Sequence, residues 1–282
     1  MLTKIPFQYS VTIDDVVFNL EKVTKEQPVS LFDNAFFGQL KNLNTLYGTK
    51  FLLSLFYKTS ASNNIGDVNW TLASMTAAYK SEFEANATWL KMGLHAWEYE
   101  TQYYNVRNIN DDLAIVKNEV VRFAGINSWT EKEVVIHYAQ GNKDQLYKIL
   151  QLNGNDKMVL NTGAYELPPY SRYHLNGLQI AKLNDKKLIN DGRITFITAY
   201  YVERILGLSA TEYPVYTSVK TRLEEISHRV VKVSSHEQYF TPEHAWYSAA
   251  VVSGLSETAV WGAENGRVSK HLDTDLTNWN WL

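Results

Sequence analysis

Short apolar or β-branched runs recur near residues 8–13, 50–57, 89–95, 133–138, 157–161, 193–199 and 229–234. Runs of this length and composition predict about seven strands. The stretches between several of them carry helical spacing instead. In 35–47, Phe36, Phe37, Leu40, Leu43 and Tyr47 share a face, and Gly48 stands where a left-handed cap would close the helix. Segments 111–123 and 143–152 repeat the pattern, the first opening on acidic residues and the second ending at Asn153-Gly154. Alternation of strand and helix predicts an α/β protein with parallel strands joined by right-handed crossovers, either a barrel or an open sheet covered on its faces. Both architectures bind their ligands at the C-terminal ends of the strands.

No internal repeat, low-complexity tract or long linker divides the chain, and 282 residues fall within the range that α/β barrels occupy as one unit. A single domain is therefore expected. Leu167-Pro168-Pro169-Tyr170 is the strongest local break and reads as a loop over one rim. The aromatic end, Asn278-Trp279-Asn280-Trp281-Leu282, reads as a tail docked on its own domain or a neighbour, because exposed Trp pairs are unfavourable.

The balance of 27 Lys plus Arg against 30 Asp plus Glu, with no block of like charges, gives no reason to expect nucleic acid or an anionic membrane as a partner. No apolar run is long enough to cross a bilayer, and the first residues lack the features of a secretory signal, so a cytoplasmic location is expected. An oligomer is compatible with all of this. Cysteine is absent, which leaves His and carboxylate as the only metal ligands of consequence.

Residues of catalytic type cluster at the predicted strand ends. The first strand runs into Asp14-Asp15, which are adjacent and expected to point in opposite directions. One could bind a metal while the other faces a reacting water, or either could cap a helix beginning at Val16. The third strand ends in His95, the fourth in His137, and the seventh in His236-Glu237. Each imidazole is either a metal ligand or acid-base group, or a hydrogen-bonded structural residue. Arg122 closes the helix from Asp111, where it can complement the negative helix end or pair with Asp14. His174, His228, His244 and His271 lack strand-end context and read as surface or packing residues. Trp97, Tyr99, Tyr170 and Trp246 are candidates for aromatic walls against a sugar, with core packing as the plain alternative.

Taken in chain order, this set resembles the polysaccharide deacetylase superfamily, the NodB-type metal-dependent carbohydrate esterases. Thr12-Ile13-Asp14-Asp15 resembles their paired-aspartate motif, Leu94-His95 their strand-end histidine, Arg122-Phe123-Ala124-Gly125 their arginine motif and Ser235-His236 their late histidine. The resemblance covers roughly residues 8 to 240. It implies a distorted, incomplete (β/α) barrel of about seven parallel strands over 1–240, with 241–282 as a C-terminal extension packed on the same domain. It also implies a hydrolase that removes an acetyl group from an N-acetylated sugar, with a divalent metal, zinc in the first instance.

Under that resemblance Asp14 is the general base, His236 the acid that protonates the leaving amine and Arg122 the partner that aims Asp14. Asp15 and His95 are metal ligands. The family's glycine after the aspartates is Val16 here, and its second metal histidine, four residues after the first, is Tyr99. Glu98, Glu100 and His137 are the substitutes, with His137 taken as the third ligand. Trp97, Tyr99 and Glu237 are placed against substrate. A degenerate relative that binds a glycan or partner without turnover is the alternative, and a glycoside hydrolase using Asp14 and Glu237 is a third reading.

Overall fold

Residue alternation along the first strand sets the architecture. In β1 (Gln8–Val16) Tyr9, Val11 and Ile13 join the main apolar core, while Ser10, Thr12 and Asp14 on the opposite face stand beside Lys232, Ser234 and His236 in register. A buried strand with one apolar and one polar face requires helices outside and a polar lumen inside, and that is what forms.

The computed structural model describes residues 7–61, 67–101, 103, 108–130, 132–163, 173, 175–186, 188–209 and 215–272. After β1 the chain continues through α1 (Phe18–Glu26), α2 (Ala35–Tyr47), β2 (Phe51–Phe56), α3 (Lys80–Asn86), β3 (Leu90–Ala96), α4 (Ile109–Ala124) and β4 (Glu133–Val134). There follow α5 (Lys143–Leu152), β5 (Met158–Gly163), α6 (Gly177–Lys186), β6 (Leu188–Asn190), β7 (Ile194–Tyr201) and α7 (Val202–Ile205). The chain then forms α8 (Val219–Glu224), β8 (Val230–His236), α9 (Ala249–Glu264) and β9 (Val268–Ser269). The seven expected strands pair in the order β3-β2-β1-β8-β7-β5-β4, and every neighbouring pair along that path is parallel.

The sheet curls until its ends almost meet. At the seam Thr130 N–H donates to the Met92 carbonyl at 2.8 Å, beside a bridge between Met92 and Trp129. The protein is thus a single-domain, nearly closed and distorted (β/α) barrel. Its distortion has two local sources. The first half of β7, Thr195–Ile197, pairs with the antiparallel β6, so β8 reaches only Ala199–Tyr201. β9 likewise pairs with the start of β1, at Gln8 and Tyr9.

Inside the lower barrel, Lys232 and Glu133 form a fully buried ion pair that also takes in the Ser10 hydroxyl. The second Glu133 oxygen accepts from Leu272 N–H at 2.9 Å. Val159, Ile197, Val230 and Leu272 form a small apolar cluster apart from the main core.

Most elements fall where the residue pattern predicts, and the differences have physical causes. α2 matches its expected bounds because both ends are fixed chemically. The Asn34 side chain accepts from Phe36 and Phe37 N–H, and Gly48 takes φ +66° at the C-terminus. α4 begins at Ile109, earlier than expected, because the Asn108 side chain caps it. The fourth strand keeps only two paired residues, and beyond it 137–139 turn into a short 3-10 segment. β6 and β9 are additional and too short for periodicity to reveal. The Leu167–Tyr170 loop and the tryptophan-rich end lie outside the described residues.

α9 lies against α2 and α8, and Gly254 and Gly262 let it approach Val219 of α8 and Tyr9 of β1 closely. A Cβ at Gly262 would stand 2.4 Å from Cε1 of Tyr9, a buried ring whose hydroxyl is tied to Thr49 at 2.9 Å. Gly262→Ala is therefore expected to lower unfolding free energy by ~1–3 kcal/mol through overpacking, against a helix-propensity gain of about 1 kcal/mol. Urea denaturation checks this, and a net gain in stability would contradict the packing.

Candidate functional site

The C-terminal strand ends open into a cavity of about 630 Å³. This size suits a small organic ligand. Asp14 and Asp15 stand in its lining together with His95, His137, Tyr99, Glu203 and His236.

The two aspartates reach the same cavity because β1 does not stay regular. Asp15 has φ +64°, and the pairing of β1 with β2 shifts register between Ile13 and Val16. A left-handed residue at a strand end breaks the alternation that would send adjacent side chains to opposite faces. The expectation of opposed directions is corrected on this point.

Asp15 is buried, and its Oδ1 lies 3.1 Å from His95 Nε2 and 3.6 Å from His137 Nδ1, with those two nitrogens 3.0 Å apart. Gln238 Nε2 donates to the other oxygen at 2.9 Å and fixes the carboxylate plane. His95 Nδ1 donates to the Val135 carbonyl at 2.6 Å, which turns its Nε2 toward Asp15 and His137. The Phe56 ring packs against both imidazoles, with centroids 5.3 and 5.2 Å away. Tyr138 and Ala139, which follow His137, both take positive φ, a strained turn of the kind found where a side chain must be aimed.

Burial works against every charge here, and the partners decide the outcome. For Asp15, burial opposes ionisation, but hydrogen bonds from His137 and His95 outweigh it and hold the carboxyl well below the usual range. Burial lowers His137 to about 4, so its imidazole is neutral. His95 goes the other way, because Asp15 and Asp14 more than offset its burial. Asp14 has neither oxygen hydrogen-bonded, and burial raises its pKa against the opposing pull of His95 and His236.

Asp14 and His236 are register partners on adjacent parallel strands, which sets them side by side at the cavity floor. His236 Nδ1 lies 2.7 Å from Glu203 Oε1, and the other Glu203 oxygen accepts from the Ser235 hydroxyl at 2.8 Å. Burial would lower the His236 pKa, but the Glu203 carboxylate overrides it and brings it up to about 9. Residue patterning missed Glu203. Its signal is position, since β7 runs on to Tyr201 and Glu203 follows its end as His236 ends β8.

Three expected roles are corrected. Arg122 donates to the carbonyls of Leu72, Ala73 and Met75 and to Glu119, so it fastens α4 to a neighbouring turn and does not reach the cavity. Trp97 stacks on Tyr57 at 4.0 Å and also stands outside the lining. Glu237 is completely buried, accepting from the N–H groups of Val17, Phe18 and Asn19 and from the Asn19 side chain at 2.7–2.9 Å. It caps α1, the task first weighed for Asp14 or Asp15, and this removes the carboxylate pair of the glycoside hydrolase reading. Tyr99 does line the cavity, against His137 and Phe56. Of the other aromatic candidates, Trp246 lines the cavity beside Tyr239, and Tyr170 lies outside the described residues. Glu98 pairs with Lys58, and Glu100 is exposed and absent from the cavity lining. His244 and His271 are packed and buried, as expected of them, and His174 lies outside the described residues.

Three donors of the right types thus converge: Asp15 Oδ1, His95 Nε2 and His137 Nδ1. Around a four-coordinate zinc with bonds of ~2.0–2.2 Å, donor atoms sit roughly 3.3–3.6 Å apart. The observed separations of 3.0, 3.1 and 3.6 Å are close to that spacing. The residues present therefore fit a divalent metal.

Fold and site together define an incomplete (β/α) barrel with a candidate Asp-His-His metal centre at its C-terminal face. No family model and no curated protein matches the sequence. Among solved structures, the chain is similar to the 4-alpha-glucanotransferase from Thermococcus litoralis, at 13% identity and TM-score 0.53, over 98% of this chain and 39% of that one. It is also similar to the Bc1960 peptidoglycan N-acetylglucosamine deacetylase, at 12% identity and TM-score 0.47, over 95% of this chain and 86% of that one. A family 4 carbohydrate esterase from Streptomyces lividans matches at 9% identity and TM-score 0.44, over 96% and 95%. At 13% identity the likeness to the glucanotransferase is one of fold. Among the described residues no helix is long and apolar enough to cross a membrane.

If Glu237 caps α1, Glu237→Gln sets an amide N–H₂ against backbone donors, and a loss of ~2–4 kcal/mol is expected by urea denaturation. Unchanged stability would return Glu237 to a ligand-contact role.

Proposed function

We propose that the protein is a metal-dependent hydrolase that removes the acyl group, acetyl in the first instance, from an N-acylated sugar. The observation that carries this reading is the convergence on one cavity of Asp14, the Asp15-His95-His137 donor set and the Glu203-held His236. The resemblance of Asp14-Asp15, His95 and His236 to the polysaccharide deacetylase motifs supports it. Aromatic rings at Tyr239 and Trp246 offer flat faces suited to a sugar.

Asp15, His95 and His137 would hold the cation, which supplies Lewis acidity that acidifies water and stabilises negative charge on the amide oxygen. Asp14 serves as base, because an unpartnered buried carboxylate with a raised pKa binds a proton readily. It takes one proton from the attacking water as the C–O bond forms. His236, protonated at neutral pH, donates from Nε2 to the amide nitrogen as the C–N bond breaks, and Glu203 stabilises the imidazolium throughout. The products are acetate and a free amine. A ligand-binding protein without turnover is the second reading, and the distance of Arg122 from Asp14 favours it. Acetate release from N-acetylated sugars decides between the two.

The protein purified without chelator is expected to hold one divalent cation per chain by elemental analysis. His95→Ala and His137→Ala should each lose most of it, while Tyr99→Phe keeps it. Retention of full stoichiometry in His137→Ala would remove His137 from the ligand set. Asp14→Asn is expected to lower kcat about 10²–10⁴-fold.

Protonated His236 is the active form, so kcat/KM should fall as pH rises through about 9. The same raised pKa gives stability that is fully present below the unfolded histidine pKa of about 6.5 and is lost as pH rises through about 9. Glu203→Gln should move the alkaline limb of the rate profile toward neutral pH. An unmoved limb would mean that His236 is not the acid.

A further inference from the structure

We propose that Arg204 recognises an anionic group, a carboxylate or a phosphate, carried by the sugar ligand. The inference takes its ligand class from the proposed function but rests on separate observations. Arg204 follows Glu203 in α7 and lines the cavity, half-buried. Its guanidinium lies 4.7 Å from the ring centroid of Tyr201, and that ring in turn stacks on His236 at 5.2 Å with an interplanar angle of 14°. The cation thus stands no farther from the His236 imidazole than the sum of two stacking steps, a span that one substituted sugar ring can bridge.

What sets Arg204 apart is that its donors are unused among the described residues. Arg122, Arg193, Arg222 and Arg267 each donate to a carbonyl or carboxylate. Arg204 donates no hydrogen bond and forms no ion pair with any described residue. The adjacent Glu203 is committed to His236 and Ser235. A guanidinium whose face rests on an aromatic ring keeps its edge for ligands, and that edge matches the paired oxygens of a carboxylate or phosphate.

Charge across the cavity sharpens the assignment. The floor carries Asp14, Asp15 and Glu203, whereas Arg204 is the one arginine or lysine among the described residues of the lining. With the Asp15-His95-His137 set holding a cation and His236 protonated, the floor carboxylates are compensated, and the arginine is the lining cation with donors free for an anionic group. A ligand with an acylated amine at one position and an anion at another is thereby seated in a single orientation, acyl group toward Asp14 and His236.

Isothermal titration of the purified chain with N-acetylglucosamine, N-acetylglucosamine 6-phosphate and N-acetylmuramic acid tests this, the last two separating phosphate from carboxylate. At least one anionic probe should bind about tenfold or more tightly than the neutral sugar, with a preference that shrinks as salt rises. Arg204→Gln should bring that ratio close to one, and Arg204→Lys should restore part of it for phosphate. Equal affinities in the unaltered protein, no binding of either anionic probe at millimolar concentration, or a preference retained by Arg204→Gln would overturn the inference. Its failure is distinguishable from that of the hydrolase reading. An Arg204-dependent anion preference without acetate release removes hydrolysis alone, whereas equal acetate release from neutral and anionic probes, indifferent to Arg204→Gln, removes anion recognition alone.

Discussion

Two adjacent aspartates lie almost wholly out of water at the end of the central strand, and their burial constrains everything around them. An unpaired buried carboxylate is costly, and two side by side repel each other. The structure answers with histidines from three different strand ends. His95 and His137 meet Asp15, and His236 stands beside Asp14 with its charge held by Glu203. Strand order makes this possible, because β8 lies directly beside β1, while β3 and β4 bring their histidines together across the seam.

The aspartates are free for this role only because other residues perform the structural tasks near them. Glu237 satisfies the N-terminal amides of α1, which would otherwise draw a capping side chain from the Asp14-Asp15 pair. Gln238, the next residue, orients Asp15. The short segment after β8 therefore supplies His236 to the cavity, a cap to a helix and an anchor to a carboxylate. Lys232 and Glu133 neutralise each other below, so the polar lumen carries little uncompensated charge toward the floor.

Much of this was legible in the residue pattern. The seven parallel strands and the bounds of α2 follow from short-range periodicity and caps, and strand-end position drew attention to Asp14, Asp15, His95, His137 and His236. What failed to show depends on contacts distant in sequence. Glu237 meets Val17 across 220 residues, and Arg122 meets Leu72 across 50, so neither partner could be read from its neighbours. Glu203 was hidden because β7 runs two residues past its expected end. The left-handed turn at Asp15 is unusual for a residue other than glycine and leaves no mark on local composition.

In the proposed metal centre His137, from a separate strand, joins Asp15 and His95 as the third ligand. X-ray absorption at the zinc edge on the zinc-loaded protein tests it most directly, since imidazole ligands give a distinct outer-shell scattering signature. Two imidazoles are expected in the unaltered protein and one in His137→Ala. A single imidazole in both proteins, or zinc surrounded by oxygen alone, would contradict that ligand set.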